Sequence, residues 1–553
     1  MPLLAAVACA AIGLRELATS HPHEDAYILF RYARHVAEGR GIVFDAGGPR
    51  AEGATDFLWM LLLSGTARLG LDVAVAAVLW NAAGAALATA VFVRAIARSS
   101  LDGAARLAAA LASACVLGSS AAVAGWAGFG TTFYAGLVLL LAELALADRP
   151  RARRATHVVA LLVALTRPDG AVLATLFSAV ALARAARARE LGRDAAWALG
   201  AALAGAAYFA WRRAYFGLDL PLPLYVKAHG AEAFTLAGLV ERPFAVLPGL
   251  RSALSWCTSR LGPAPWILLA AVGAFACAPR TRRAAVGLAL VAAVFVLALA
   301  FGRPTQNYAL RFQAPATLLC ALAAWRVALA PELPARAARW LAGALLLAAL
   351  PGVERAAEQL AWNERGASYM DVFPAELARL LPADATIALT EAGRLPYWTD
   401  ARCIDVVGLN DPVFALRPPR VEDLEREAPD VVFFHVADAL RFGGAPTALR
   451  AIERTDLAPH VTAAGRAAFD TPLERYPAGS APENVAPAVL ARFLADHANY
   501  HIVLARYEGE YRHVWAFRTD LPQLAELLTE LEANHTPSAW RPYIDVARSA
   551  CMR

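Results

Sequence analysis

Two histidines and two acids stand within five residues near the start of the chain, in His21-Pro22-His23-Glu24-Asp25. A carboxylate held where water meets lipid can take a proton from a hydroxyl. Paired acids also suit the first turn of a helix, where negative charge is favoured, and the residues alone leave both readings open. The same stretch has enough donors for a divalent ion, but no His-x-x-x-His spacing accompanies it, and interfacial histidines are the plainer reading of His21 and His23. A second candidate is Lys227, the single lysine among 52 Lys and Arg residues. Where arginine supplies every other cation, a retained lysine points either to a site needing a compact ammonium or to codon usage alone. A third is Thr166-Arg167-Pro168-Asp169-Gly170, an ionisable pair between two apolar runs. Charges at such a place are costly and mark a function or a buried structural pair. Tyr27 and Trp59 read as interfacial anchors, and His435 as the end of the apolar strand Val431-Val432-Phe433-Phe434.

The elements that must hold these groups follow from composition. The chain has 553 residues, 58% hydrophobic and 18% charged, and mean hydropathy +0.45. Soluble domains carry about 25% charged residues, so an ordinary soluble enzyme, a disordered chain and a coiled coil are excluded. A net charge of +5 calls for no nucleic-acid partner. What remains is a polytopic α-helical membrane protein with a soluble part. Apolar runs lie near 3–18, 57–69, 72–93, 104–124, 129–147, 155–165, 168–183, 194–211, 263–279, 284–301, 310–329 and 337–353. The first lacks a basic leader and reads as a membrane helix, not a cleaved signal.

Arginines crowd the connections Arg94–Arg106, Arg149–Arg154, Arg184–Arg193, Arg280–Arg283 and Arg326–Arg339, and the positive-inside rule wants all five in the cytoplasm. A span needs about 20 residues, so three runs are short. All five clusters share a side if 57–69 lies flat on the outer surface and 155–183 enters and returns as a re-entrant pair with Arg167 and Asp169 at its tip. About 11 membrane helices result, counting that pair. Residues 1–353 then form the transmembrane domain, with a first outer loop at 19–71. Residues 354–553, where charge rises, form an extracytoplasmic α/β domain. Its strands are expected at Thr386–Thr390, Asp430–Val436, Tyr500–Arg506 and Tyr511–Arg518, and a helix at Pro374–Leu381. Of seven cysteines, Cys403 and Cys551 fall in that domain and could pair in an oxidising compartment.

The first loop as a whole resembles a family. Glu24-Asp25-Ala26-Tyr27-Ile28, Phe30-Arg31-Tyr32-Ala33-Arg34, Glu38-Gly39-x-Gly41 and Glu52-Gly53-x-Thr55-x-Phe57-Leu58-Trp59 resemble the first-loop signature of GT-C glycosyltransferases. Their arabinofuranosyltransferase-like branch, which uses polyprenyl-phosphate sugars, is the nearest in pattern. The likeness continues in order through Gly128-Phe129-Gly130-Thr131, Leu165-Thr166-Arg167-Pro168-Asp169-Gly170, Arg212–Gly217, Leu220–Lys227, Arg311-Phe312-Gln313-Ala314-Pro315 and Asp405–Asp411. Five positions depart from it. Glu24-Asp25 replaces Asp-Asp, Gly130 replaces Glu, Leu222 replaces Asn, and Ala54-Thr55-Asp56 replaces Tyr-Thr-Asn.

The resemblance implies a GT-C-like fold in the inner or plasma membrane. It implies inverting transfer of a sugar, arabinofuranose among the candidates, from a polyprenyl-phosphate donor to an envelope glycan or glycolipid on the outer face. Asp25 and Glu24 would be catalytic. Lys227, Arg167 and Arg311 would hold the donor phosphate, supported by Tyr27, Arg31, Glu52 and Asp169. No cofactor is required, with a divalent metal at His21 and His23 the alternative. Membrane lipids are the remaining partners. The competing functions are a transporter or lipid flippase, whose usual paired broken helices have only one counterpart here, and a non-catalytic envelope assembly protein on the same scaffold.

Overall fold

The structure, a computed structural model, describes residues 1–97, 103–117, 120–228, 247–259, 262–302, 307–365, 368–437, 450–453, 457, 465–476, 482–506, 511–536 and 539–551. The apolar runs fold as helices: α1 (Pro2–Thr19), α2 (Glu24–Ala37), α3 (Phe57–Ala67), α4 (Val73–Ala97), α5 (Gly103–Leu117), α6 (Ser120–Trp126), α7 (Thr131–Ala145), α8 (Pro150–Thr166), α9 (Gly170–Arg187), α10 (Leu191–Phe216) and α11 (Leu222–Ala228). After α12 (Leu247–Thr258) come α13 (Ala264–Ala274), α14 (Pro279–Gly302), α15 (Ala314–Ala328) and α16 (Ala335–Arg365). Among the described residues, five helices are long and apolar enough to cross a membrane, at Pro2–Thr19, Val73–Ala97, Gly170–Arg187, Pro279–Ala300 and Ala335–Ala361. With its 11 residues, α3 rises about 16 Å, half a hydrocarbon core.

Three boundaries differ from expectation. The pair around Arg167 is not made of short arms. Helix α8 has 17 residues and α9 has 18, about 25 Å each, because arginines at the helix ends, which interrupt the apolar runs, are themselves helical. Run 104–124 is divided between α5 and α6. Apolar composition ends near residue 353, but α16 continues to Arg365 with Pro351 inside it, so the α/β part begins later than composition suggested.

Four arginine clusters gather at one end of the bundle. Asp148, between α7 and α8, pairs with Arg184 at 2.6 Å and with Arg280. Buried Arg153 meets Asp194 at 3.2 Å, and Arg326 meets Glu143 at 2.6 Å. Part of the fifth cluster, Arg94–Arg106, lies outside the described residues.

The C-terminal part is built on a six-stranded sheet: β1 (Thr386–Leu389), β2 (Arg402–Asp405), β3 (Val431–Ala437), β4 (Arg450–Ala451), β5 (Tyr500–Arg506) and β6 (Tyr511–Arg518). Their order is β2-β1-β3-β6-β5-β4. β1 runs parallel to β2 and β3, and the other pairs are antiparallel. Alternation along β3 feeds two cores. Val432 and Phe434 pack with Val489 and Leu490 of the covering helix Pro482–Asp496. Val431 and Phe433, with Trp515 and Phe517 of β6, belong to the core that contains Tyr27, Phe30 and Trp59. One sheet face is therefore completed by the first loop and by helices of the bundle. Tyr27 and Trp59, expected at the interface, are buried in that core: Tyr27 packs on Tyr397 and Tyr543 of the C-terminal part, and Trp59 on Phe133 of α7. Cys403 is a free, buried thiol.

Candidate active site

A cavity of about 370 Å³ opens at the end of the bundle beneath the sheet domain. Five connections bring polar groups to it: the start of α2 (Asp25), the approach to α3 (Asp56), the α8–α9 tip (Arg167, Asp169), α11 (Lys227) and the segment before α15 (Arg311). Its other walls are apolar, with Val172, Leu224, Phe295 and Leu299 from the bundle and Leu409 from the sheet domain. A charged mouth on an apolar slot suits an amphiphile with an anionic head and a hydrocarbon tail.

The local sequence explains how each group is held. Pro168 stops α8, since the residue before proline leaves the helical region; Arg167 there is extended, at φ −149°. Its guanidinium reaches Asp169 at 2.8 Å and the backbone oxygen of Arg311 at 3.1 Å. Arg311 donates from Nη2 to Asp25 at 3.0 Å and lies 3.8 Å from the centroid of the Phe129 ring. Among the described residues, its Nη1 has no hydrogen-bond partner. Lys227 Nζ stands 5.7 Å from the centre of Phe312, the ring that Arg167 and Arg311 also approach, each at 5.1 Å. Three cations around one aromatic ring is a cation–π cluster in which like charges repel, and a bound anion would relieve that repulsion. Among the described residues, Lys227 has no ion-pair partner. Burial first, and Arg311 second, lower its pKa.

Asp25 is more strongly held than the sequence shows. Burial alone would raise its pKa, but His23, Arg311 and Lys227 outweigh burial and keep the carboxyl below its ordinary value. Burial brings His23 down to about 4, so at neutral pH that ring is uncharged and the pull comes from Arg311 and Lys227. His23 serves α2 as its N-cap, Nδ1 accepting from the Asp25 N–H at 3.2 Å. His21 points elsewhere, to Tyr27 at 3.2 Å and the Arg541 carbonyl at 2.8 Å. The two histidines do not converge, and no set of three or more metal-ligating side chains is present among the described residues.

Glu24 does not join Asp25 in the cavity. Its carboxylate accepts the backbone N–H groups of Gly393 at 2.8 Å and Arg394 at 3.0 Å. Its hydrogen bonds thus run to the sheet domain and not to the cavity expected of a catalytic acid. Successive helical residues point about 100° apart, so one acid faces the cavity and the other the sheet domain. Gly393 has to be glycine: a Cβ there would stand 2.1 Å from the Glu24 carbonyl. Burial, then Glu391, raise the Glu24 pKa to about 7.

Three of the four supporting residues also act away from the cavity. Tyr27 packs on Tyr397, ring centres 5.1 Å apart. Arg31 is fully buried, bonding Asp45 at 2.6 Å and the carbonyls of Phe44 and Thr399. Glu52 meets Arg212 at 2.5 Å. These three fasten the first loop to the sheet domain and to α10, while Asp169 lines the cavity itself. His435, expected to be a plain strand end, faces Glu391 at 3.1 Å.

Two substituted positions have packing causes. A Cβ at Gly130 would come within 2.7 Å of the Trp59 ring, so a glutamate does not fit there. Leu222 is buried against the sheet domain with Phe414 and Ala415. The cavity residues not foreseen are Asp56, Phe129 and Phe312. In the sequence Asp56 stands only as a departure from the first-loop pattern, and the phenylalanines only as members of short motifs, with no role for any of the three.

Residues 361–520, which carry all six strands, match a family described as Domain of unknown function (DUF8728). No curated protein matches the chain. Among solved structures, the chain is similar to the crystal structure of ArnT from Cupriavidus metallidurans bound to undecaprenyl phosphate. The identity is 14% and the TM-score 0.46, over 81% of this chain and 96% of that one. At that level the likeness carries no functional weight, and the cavity's own geometry has to supply the argument.

Proposed function

We propose that the protein is a membrane glycosyltransferase that moves a sugar from a polyprenyl-phosphate donor to a glycan or lipid acceptor of the cell envelope. The observation that carries this reading is a pair of cationic donors in the cavity left without a direct partner among the described residues. Lys227 has no counter-ion among the described residues and Arg311 Nη1 has no partner, yet both stand beside carboxylates in an apolar-walled slot. A phosphate takes the ammonium as a point charge and the guanidinium through directed N–H bonds. The prenyl tail takes the apolar wall, and a carboxylate remains to receive the acceptor's proton. Direct attack on the anomeric carbon inverts its configuration, and arabinofuranose is the first sugar to try, given the first-loop resemblance. The reading puts the cavity and sheet domain on the extracytoplasmic face and the arginine-rich end in the cytoplasm.

The test is a transfer assay in membranes carrying the full chain. Polyprenyl-phosphate arabinofuranose, mannose and glucose are the donors, and release of polyprenyl phosphate and labelling of membrane glycans are the readouts. Release with at least one donor, lost in Lys227→Ala, is expected. No release from any donor would overturn the reading.

A further inference from the structure

One cavity carboxylate still has no task. Asp56 occupies the N-cap position of α3, where an Asp side chain ordinarily accepts from the N–H two or three residues on. Here it makes no capping bond. Its side chain receives one hydrogen bond, from the Thr55 hydroxyl at 3.0 Å, and the residue lines the cavity. The other two cavity acids are each held by a cation: Asp25 by Arg311 at 3.0 Å and Asp169 by Arg167 at 2.8 Å. Among the described residues, no cation lies within ion-pair distance of Asp56.

Resting on the glycosyl-transfer reading, the chemistry distinguishes these acids. The acceptor oxygen forms a bond to the anomeric carbon as the bond from that carbon to the phosphate oxygen breaks. The electron pair leaves with the phosphate, which passes from a diester to a monoester carrying one more negative charge. The hydroxyl proton must go to a base in the cavity. If Asp25 accepted it, the Asp25–Arg311 ion pair would be lost just as Arg311 is needed against the leaving phosphate. A carboxylate with no counter-ion can accept the proton without that loss. We propose that Asp56 is the base that takes the acceptor's proton, and that Asp25 is a positioning residue holding Arg311 toward the donor phosphate.

The surroundings suit the task. Burial lifts the Asp56 carboxyl above its ordinary value, with the pull of Arg167 opposed by neighbouring Asp169, whereas Asp25 is held low. Two acids pushed apart by their environments are a general sign of divided roles. The groups facing Asp56 are Arg167 and Asp169 from the α8–α9 tip, Arg311 from before α15 and Tyr134 from α7. A base at this position should give turnover that falls on the acid side as Asp56 becomes protonated.

The experiment uses full-length protein in membranes, the three polyprenyl-phosphate sugars as donors and plain polyprenyl phosphate as the binding probe. Asp56→Asn should lower turnover about 10²–10⁴-fold while leaving the half-saturating donor concentration and polyprenyl-phosphate binding within about twofold of the parent. Asp56→Glu should restore part of the turnover, with the acid limb of its pH profile displaced. Asp25→Asn should raise the half-saturating donor concentration, because Arg311 loses its anchor. An active parent whose turnover survives Asp56→Asn would overturn the assignment and leave the glycosyltransferase reading standing. Should Asp56→Asn fail to bind polyprenyl phosphate, Asp56→Glu decides: a variant that binds the probe but shows no pH-dependent turnover overturns the assignment. A parent inactive with every donor overturns both.

Discussion

Replacing Lys227 by alanine separates binding from folding, because among the described residues no carboxylate lies within ion-pair distance of this ammonium, and Asp25, which feels its charge, keeps Arg311 as its direct partner. Removing half of a buried ion pair costs about 3–5 kcal/mol through the charge left behind; no such penalty applies here. Burial and Arg311 already disfavour the charged ammonium, so its removal should leave the melting temperature of the unliganded protein unchanged or slightly raised. The loss falls on the anion. A hydrogen bond from a charged donor contributes about 1.5–3 kcal/mol, so Kd for polyprenyl phosphate should rise about 10–150-fold at 1.4 kcal/mol per decade. The assay is the rise in melting temperature of detergent-purified protein as polyprenyl phosphate is titrated, since binding to the folded state alone stabilises by RT ln(1 + [L]/Kd). Lys227→Arg sharpens it. Arg167 and Arg311 already crowd Phe312 at 5.1 Å each, and a third planar guanidinium beside the same ring cannot reproduce a compact ammonium. Arginine should recover only part of the affinity. Parental affinity in both variants would refute the phosphate role and leave the lone lysine as an accident of codon usage.

Other outcomes follow from the contacts around the cavity. Glu24 has a folded-state pKa of about 7 against an ordinary 4.5, so the folded state binds the extra proton between those values. Stability from this group is present at low pH and is lost as pH rises through about 7. Glu24→Gln should flatten melting temperature against pH over that window, and an unchanged slope would contradict the assignment. Arg212→Ala leaves Glu52 buried without its partner and should cost about 3–5 kcal/mol, read as a lower melting temperature that Glu52→Gln in the same chain partly restores. For topology, a cysteine at exposed Ala188 should be labelled only from the cytoplasmic side and one at exposed Asp384 only from outside; labelling of both from one side would refute the proposed orientation.

The sequence showed charge in apolar surroundings well and side-chain direction poorly. Arg167 and Asp169 stood out as charge between apolar runs, Lys227 as the lone lysine and Arg311 through the family resemblance alone, and the structure brings all four to one cavity with Asp25. The strands at 386, 430, 500 and 511 were visible as β-branched and aromatic runs. The edge strands were not, since Arg402–Asp405 mixes charge into four residues and Arg450–Ala451 has only two. The docking roles of Glu24, Arg31 and Glu52 could not be read, because their partners lie 369, 368 and 160 positions away. Asp56 was hidden in a different way: it stood in the sequence only as part of a departure from the first-loop pattern, and its place in the cavity wall and its missing capping bond are visible only in three dimensions.

The core shared between α2 and the sheet sets a constraint on how the molecule is made. Glu24 waits for Arg394, 370 positions later, and Tyr27 waits for Tyr397. At about 5–20 residues per second, roughly 20–75 s separate the synthesis of the two halves of that contact. For all of that time Tyr27 and Phe30 lack the cover the sheet will give them. The sheet domain is thus the lid on a loop made well before it, and a ribosome that stalls or a nonsense codon just beyond α16 should leave a bundle with a bare aromatic surface, a ready mark for quality-control proteolysis.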